Sequence, residues 1–276
     1  MRQQKKMPFS HLLPHSTADR RRQVDRRARV PQAVATELEG AMAANRIAMQ
    51  FQPQFCCASG AVVGAEALVR WSHPQRGLIA GDELFRIALR ADLARAMSDH
   101  VIAQALMQAR DWEGGLHLSL NITAADLAAP DFPDAVAAAL CASGFASERL
   151  TLEITEQALV HDLDGSAAQL TKLVDMGIRI ALDDFGAGFC NFRYLKKLPL
   201  HFLKLDRSMV EGIADDRRDL EVLRGIVALA GALDLAVIAE GIESEAQRNA
   251  VVREGCFAWQ GFLGGKPMPP EDFARL

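Results

Sequence analysis

The most constraining feature of this sequence is a register between polarity and chain direction. Asn121, Glu153, Asp183, Asp184, Asp206, Glu240 and Gln260 fall at or near the C-terminal ends of successive short apolar runs, with Lys204 and Glu66 slightly inside theirs. The runs cover residues 48–56, 61–71, 116–120, 150–154, 178–183, 202–206 and 235–239, with a last short one reaching Gln260, and they read as eight strands. Most alternate with stretches of helical character at 81–90, 93–112, 134–142, 166–176, 216–230 and 245–253. That βα rhythm predicts an α/β chain with a largely parallel sheet, and a closed (β/α)8 barrel fits it best. In such a barrel the C-terminal strand ends surround one mouth, where the chemistry sits. Taken singly, each polar residue can be a loop residue or a helix cap; taken jointly, they predict one site.

Two local signals refine this plan. Residues 48–56 and 61–71 are joined by little more than Ala58-Ser59-Gly60, a link that favours an antiparallel hairpin over a crossover. Ahead of them, Val34, Leu38 and Met42 recur at four-residue spacing after Pro31 and predict a helix leading into the barrel. Glu66 lies in the middle of an apolar strand, where an unpaired carboxylate is costly, so it must meet a cation or face solvent. Arg70, four residues on, shares its strand face.

The stretch Arg179-Ile180-Ala181-Leu182-Asp183-Asp184-Phe185-Gly186-Ala187-Gly188 carries adjacent carboxylates at a strand end. On a regular strand neighbouring side chains diverge, so the two acids converge only if the strand ends there, an ending that Gly186 and Gly188 would supply. One carboxylate can then bridge two cations while its neighbour holds the second. The same residues also read as an acidic turn capping the next helix.

Composition adds bounds. Half of the chain is apolar, enough for a sizeable core, and five scattered cysteines without paired metal-ligand spacing point to a reducing compartment, the cytoplasm. No apolar run approaches a membrane span, and the start has no apolar segment of a signal peptide. Residues 1–30 carry nine Lys or Arg and two Asp, a net charge of +7 that leaves −11 for the remainder. Such an arm can contact nucleic acid or anionic lipid, but without interleaved aromatics it is expected to be a solvated tail, with the barrel occupying 31–276. No stretch of usual sensor size precedes the barrel, so regulation is expected through expression, a partner or the arm.

At this point the motifs become recognisable. Glu66-Ala67-Leu68-Val69-Arg70-Trp71 resembles the name-giving motif of EAL-domain cyclic-di-GMP phosphodiesterases. Asn121, Thr151-Leu152-Glu153-Ile154-Thr155-Glu156, Asp183-Asp184-Phe185-Gly186-Ala187-Gly188, Leu203-Lys204-Leu205-Asp206, Ala239-Glu240-Gly241-Ile242-Glu243 and Gln260-Gly261-Phe262 with Lys266-Pro267 follow in the family's order. The resemblance spans roughly residues 34–274. It implies a modified (β/α)8 barrel with an antiparallel first strand, and cleavage of cyclic di-GMP to linear pGpG with two Mg²⁺ or Mn²⁺ ions. It further implies that Glu66, Asn121, Glu153 and Asp183 hold one metal and that Asp183, Asp184 and Glu240 hold the other. Lys204 and Gln260 would position the attacking water beside Glu240, Glu156 would anchor the loop after Asp184, and Arg70, Leu68 and Asp206 would contact substrate. A homodimer through helices beside that loop is implied as well. Ala187, Phe189, Phe262 and Leu89-Arg90 depart from the family's usual residues at positions that are not metal ligands, and Gly264-Gly265 suggests a looser last loop. Two alternatives stand beside this reading: a catalytically silent cyclic-di-GMP receptor or protein-interaction regulator, and another metal-dependent hydrolase on the same fold.

Overall fold

The computed structural model of the protein describes residues 32–159, 162–187 and 192–276; the basic arm, Gly188 and Phe189 lie outside the described residues. The chain begins with helix α1 (Gln32–Ala43), then β1 (Ile47–Cys56), β2 (Val62–His73) and β3 (Gly77–Ala80). Helices α2 (Gly81–Arg90) and α3 (Ala94–Ala109) lead to β4 (His117–Asn121), and α4 (Ala124–Ala128) and α5 (Phe132–Ser143) to β5 (Leu150–Thr155). The alternation continues through α6 (Leu163–Asp175), β6 (Arg179–Phe185), α7 (Phe192–Lys197), β7 (Phe202–Leu205), α8 (Arg217–Gly231), β8 (Ala236–Ala239), α9 (Glu245–Glu254), β9 (Ala258–Gln260) and α10 (Pro270–Phe273).

The strands lie in the order β1-β9-β8-β7-β6-β5-β4-β2-β3, and β1 also pairs with β2, so the sheet closes into a barrel of eight staves among the described residues. β1 is antiparallel to both of its neighbours, β2 and β9, while the pairs from β2 through β4 to β9 are parallel. The short 58–60 link dictates this inversion. β3 is an addition to the predicted strands: it folds back antiparallel on the end of β2, outside the barrel. Its four residues are too short to show a period.

Alternation divides the core in two. On β7, Leu203 and Leu205 face the layer between strands and helices, whereas Phe202 joins Ala181, Ile238 and Ala258 in a small apolar cluster inside the barrel. One step further along the inward face stands Lys204, which is fully buried. Because no helix follows β1 directly, its outer face needs another cover. Phe51 packs there against Trp112 and Phe273, with ring centroids 5.0 and 6.0 Å apart.

The helices show sequence-encoded boundaries. Ser244 and Gln247 form a reciprocal capping box at the start of α9, and Gly255 closes it at φ 88°. Gly264 and Gly265 do not loosen the last loop as expected. A Cβ on Gly264 would lie 2.3 Å from the Phe55 ring, so the glycines let that loop pack tightly onto β1.

Candidate active site

Closure of the barrel brings the predicted polar residues to one end, around Lys204. Its ammonium lies 2.5 Å from Glu153 Oε2, 2.7 Å from Glu240 Oε1, 3.1 Å from Asp183 Oδ1 and 3.6 Å from Glu66 Oε2. The Glu240 contact is an ion pair. The open question about Glu66 is thereby answered: it is buried and meets a cation, and the cation is Lys204. Asn121 donates to Glu66 Oε1 at 2.7 Å and Gln260 donates to Glu66 Oε2 at 2.8 Å, so both carboxylate oxygens are held.

The convergence of Asp183 and Asp184 has a different cause from the one predicted. Both lie within β6, whose pairing with β7 slips between Leu182 and Phe185, leaving an extra residue on the β6 side. Asp184 takes φ 55° at this bulge. The bulge turns Asp184 toward the mouth while returning Phe185 to the buried outer layer. Oxygens of Asp183, Asp184 and Glu240 lie within 4.8 Å of one another. Gly186, at φ 102°, makes the exit that follows, in a place where a Cβ would strike Met209.

Above the acidic cluster opens a cleft of about 560 Å³ lined by Glu66, Asn121, Asp183, Asp184 and Glu240 on its floor, with Leu68, Arg70, Asp82 and Phe85 among its walls. Glu66, Leu68 and Arg70 alternate along β2, which places all three on its barrel-facing side as it climbs to the mouth. Arg70 Nη1 donates to Val69 O at 2.9 Å. Glu156 opens a 3-10 turn (Glu156–Leu159) directly after β5. Asp206 caps the turn Arg207–Met209, accepting from Ser208 N and Oγ at 2.9 and 2.5 Å, and it does not line the cleft.

Electrostatics at the cluster are unbalanced. Burial acts to lower the pKa of Lys204, but Asp183, Glu153, Glu240 and Glu66 outweigh it and hold that pKa well above the ordinary range. Burial pushes Glu153 well above the carboxylate range, against the opposing pull of Lys204. Burial likewise drives Glu240 up to about 8, again opposed by Lys204, with Asp183 and Glu66 adding repulsion. Asp184 is raised by burial and then by Asp183. Glu153 Oε1 is buried without a hydrogen-bond partner among the described residues. Oxygen donors in excess of the local positive charge, one of them orphaned, are the set a hard divalent cation takes, so these residues fit such ions.

Two contributors escaped the sequence reading. Gln52 and Gln54 on β1 are buried and hydrogen-bond to Gln260: Gln260 Nε2 donates to Gln52 Oε1 at 3.1 Å, and Gln54 Nε2 donates to Gln260 Oε1 at 3.0 Å. The signal was there, since Gln50, Gln52 and Gln54 alternate with Met49, Phe51 and Phe55, but a polar strand face ordinarily means solvent.

Comparison with known proteins agrees with this geometry. The chain is 37% identical over 239 residues to the bifunctional diguanylate cyclase/cyclic di-GMP phosphodiesterase MucR of Pseudomonas aeruginosa, matching 85% of this chain and 35% of that protein. It is 35% identical over 247 residues to the cyclic di-GMP phosphodiesterase NbdA of the same organism, matching 87% of this chain and 31% of that one. The chain thus spans about a third of the length of these curated relatives. A solved structure of the PaMucR phosphodiesterase in complex with c-di-GMP superposes with a TM-score of 0.80 at 36% identity, covering 87% of this chain and 99% of that one. The EAL domain family matches residues 35–267, and with the barrel, its inverted first strand and the acidic mouth in place, this chain belongs to the EAL-domain family.

Proposed function

We propose that this chain is a cyclic-di-GMP phosphodiesterase that hydrolyses the cyclic dinucleotide to linear pGpG. The observation that carries the reading is the acidic cluster at the mouth: Glu66, Glu153, Asp183 and Glu240 around Lys204, with oxygens of Asp183, Asp184 and Glu240 within 4.8 Å of one another. Glu66, Asn121, Glu153 and Asp183 are assigned to one Mg²⁺ or Mn²⁺ ion, and Asp183, Asp184 and Glu240 to the other. When bound, such a pair lowers the pKa of a water and offsets charge at phosphorus.

The remaining roles belong to the chain itself. Lys204 supplies a fixed positive charge below the reacting group, and it is assigned with Gln260 to orienting the attacking water. Arg70 and Leu68 line the cleft beside the acids and are assigned to substrate, Arg70 through its charge to a phosphate or through its planar fork to a base. Asp206 is assigned to the same ligand from the far rim, which requires it to exchange its Ser208 contacts. Glu156 is assigned to anchoring the loop after Asp184. A homodimer through the helices flanking that loop is part of the proposal, supported by the exposure of Phe192 on α7 and Val222 on α8; a monomer in light scattering would overturn that part. A cytoplasmic setting is supported by the four free cysteines among the described residues, and no described helix is long and apolar enough to cross a membrane.

Incubation with cyclic di-GMP and Mg²⁺ or Mn²⁺, followed by chromatography, tests the reaction. Linear dinucleotide is the expected product. Binding without product would instead establish a silent receptor, and cleavage of other phosphodiesters in preference would establish a different hydrolase.

A further inference from the structure

Three glutamines form a buried chain beneath the mouth, and its direction is fixed from both ends. The carbonyl of Gly265 can only accept, so Gln52 must turn its amide nitrogen there, at 3.2 Å, and its oxygen toward Gln260. The Glu66 carboxylate also only accepts, so Gln260 must turn its nitrogen toward Glu66 and, with its second N–H, toward Gln52. That leaves the Gln260 carbonyl facing Gln54, which must donate, as it does at 3.0 Å. The backbone sets this up: Gln52 is paired across the strands with Glu66, and Gln54 with Gln260. All three side chains are buried, so no bulk water competes for these contacts.

We infer that Gln52 and Gln54 are positioning residues that set the Glu66 carboxylate for its metal by locking the orientation of Gln260. In this arrangement both N–H groups of Gln260 are committed to protein acceptors, and only its carbonyl retains spare capacity for a water. Gln54 is the more critical of the pair. Without its donated hydrogen bond the Gln260 amide is held only by Glu66 and Gln52, and an acceptor in place of Gln54 opposes the Gln260 carbonyl and favours a turned amide that presents its oxygen to Glu66, acceptor against acceptor. Loss of the Gln52 contact leaves the Gln54 lock in place.

The inference rests on the metal-dependent reading of this site, and the test separates the two. Mn²⁺ affinity, read from the electron paramagnetic resonance of free ion, and the Mn²⁺-induced rise in melting temperature are measured beside kcat and KM for wild type, Gln54→Met, Gln54→Glu and Gln52→Glu. Gln54→Glu is expected to weaken Mn²⁺ binding and lower kcat by about tenfold or more, with KM within about twofold, and Gln54→Met, which leaves the Glu66 and Gln52 contacts in place, to do the same to a smaller extent. Gln52→Glu is expected to do less damage, although its new carboxylate stands directly opposite Glu66. Simple charge repulsion predicts the reverse order. Should Gln54→Met melt before assay, Gln54→Glu, which keeps the shape, carries the test. A Gln54→Glu variant that binds Mn²⁺ within twofold of wild type, or Gln52→Glu as the worse of the two glutamates, overturns the inference. A wild type that binds no Mn²⁺ overturns the functional reading and this inference with it.

Discussion

Two ion clusters in this molecule use the same groups to opposite ends. On the surface between α8 and α9, Arg224 pairs with both oxygens of Glu254 at 2.8 and 3.0 Å and with Glu221 at 3.1 Å. Its hydrogen bonds hold Glu254 below the usual carboxylate range. Each charge there has a well-aligned partner, and the Arg224 and Glu221 side chains remain about half exposed, at 52% and 49%. At the mouth, Lys204 is shared among the carboxylates of Glu66, Glu153, Asp183 and Glu240, two of which are pushed up in pKa. A cluster selected for stability would neutralise itself, since unpaired buried charge is expensive. The mouth stays short of positive charge, and that deficit marks it as a place where charge is to be supplied from outside.

The comparison can be broken most forcefully at Lys204. Lys204→Ala should lower kcat by about 10²–10³-fold while cyclic-di-GMP affinity changes only a few-fold, because the ammonium lies buried among the carboxylates rather than along the cleft wall. Equal losses in turnover and binding would remove it from the chemistry. Glu153→Gln should abolish metal-dependent turnover yet raise the melting temperature of chelator-treated protein, because it relieves one of the charges crowded on Lys204. A lower melting temperature would mean that the cluster is stabilising as it stands.

The pH dependence sharpens the contrast further. The folded-state pKa values of Glu153 and Glu240 are raised, so the native chain holds these protons more tightly than the unfolded one. Their contribution to stability is present below the ordinary carboxylate range and is lost as pH rises, for Glu240 through about 8. Metal-free protein should therefore melt progressively earlier between about pH 5 and pH 9, and Mg²⁺ should flatten the trend. A flat profile without metal would contradict the assigned shifts. The smallest effect is expected at the surface, where Arg224→Ala should leave kcat unchanged and move the melting temperature by no more than a few degrees. A larger change would show that self-neutralised pairs matter more here than their exposure suggests.

Much of this was legible from the chain, because a barrel mouth is a one-dimensional signal: polar residues at strand ends. The positions of Glu66, Asn121, Glu153, Lys204, Glu240 and Gln260 followed from apolar runs and their termini alone. The convergence of Asp183 and Asp184 was anticipated but attributed to the glycines. A bulge depends on the pairing of β6 with β7, and single-strand alternation carries no trace of an inserted residue. Gln52 and Gln54 were visible as an alternating polar face. Whether such a face meets water or a buried carboxylate is decided by closure of β1 onto β9, a contact between residues at opposite ends of the chain. β3 was missed because its length gives no period, and the basic arm lies outside the described residues.

The most direct test of the charge deficit at the mouth is a count of Mn²⁺ bound per chain by chelator-treated protein, read by equilibrium titration. Two ions per chain in wild type, with a deficit in Glu153→Gln and no change in Arg224→Ala, is the predicted result. A chain that binds no Mn²⁺ at the mouth and still cleaves cyclic di-GMP would contradict the account.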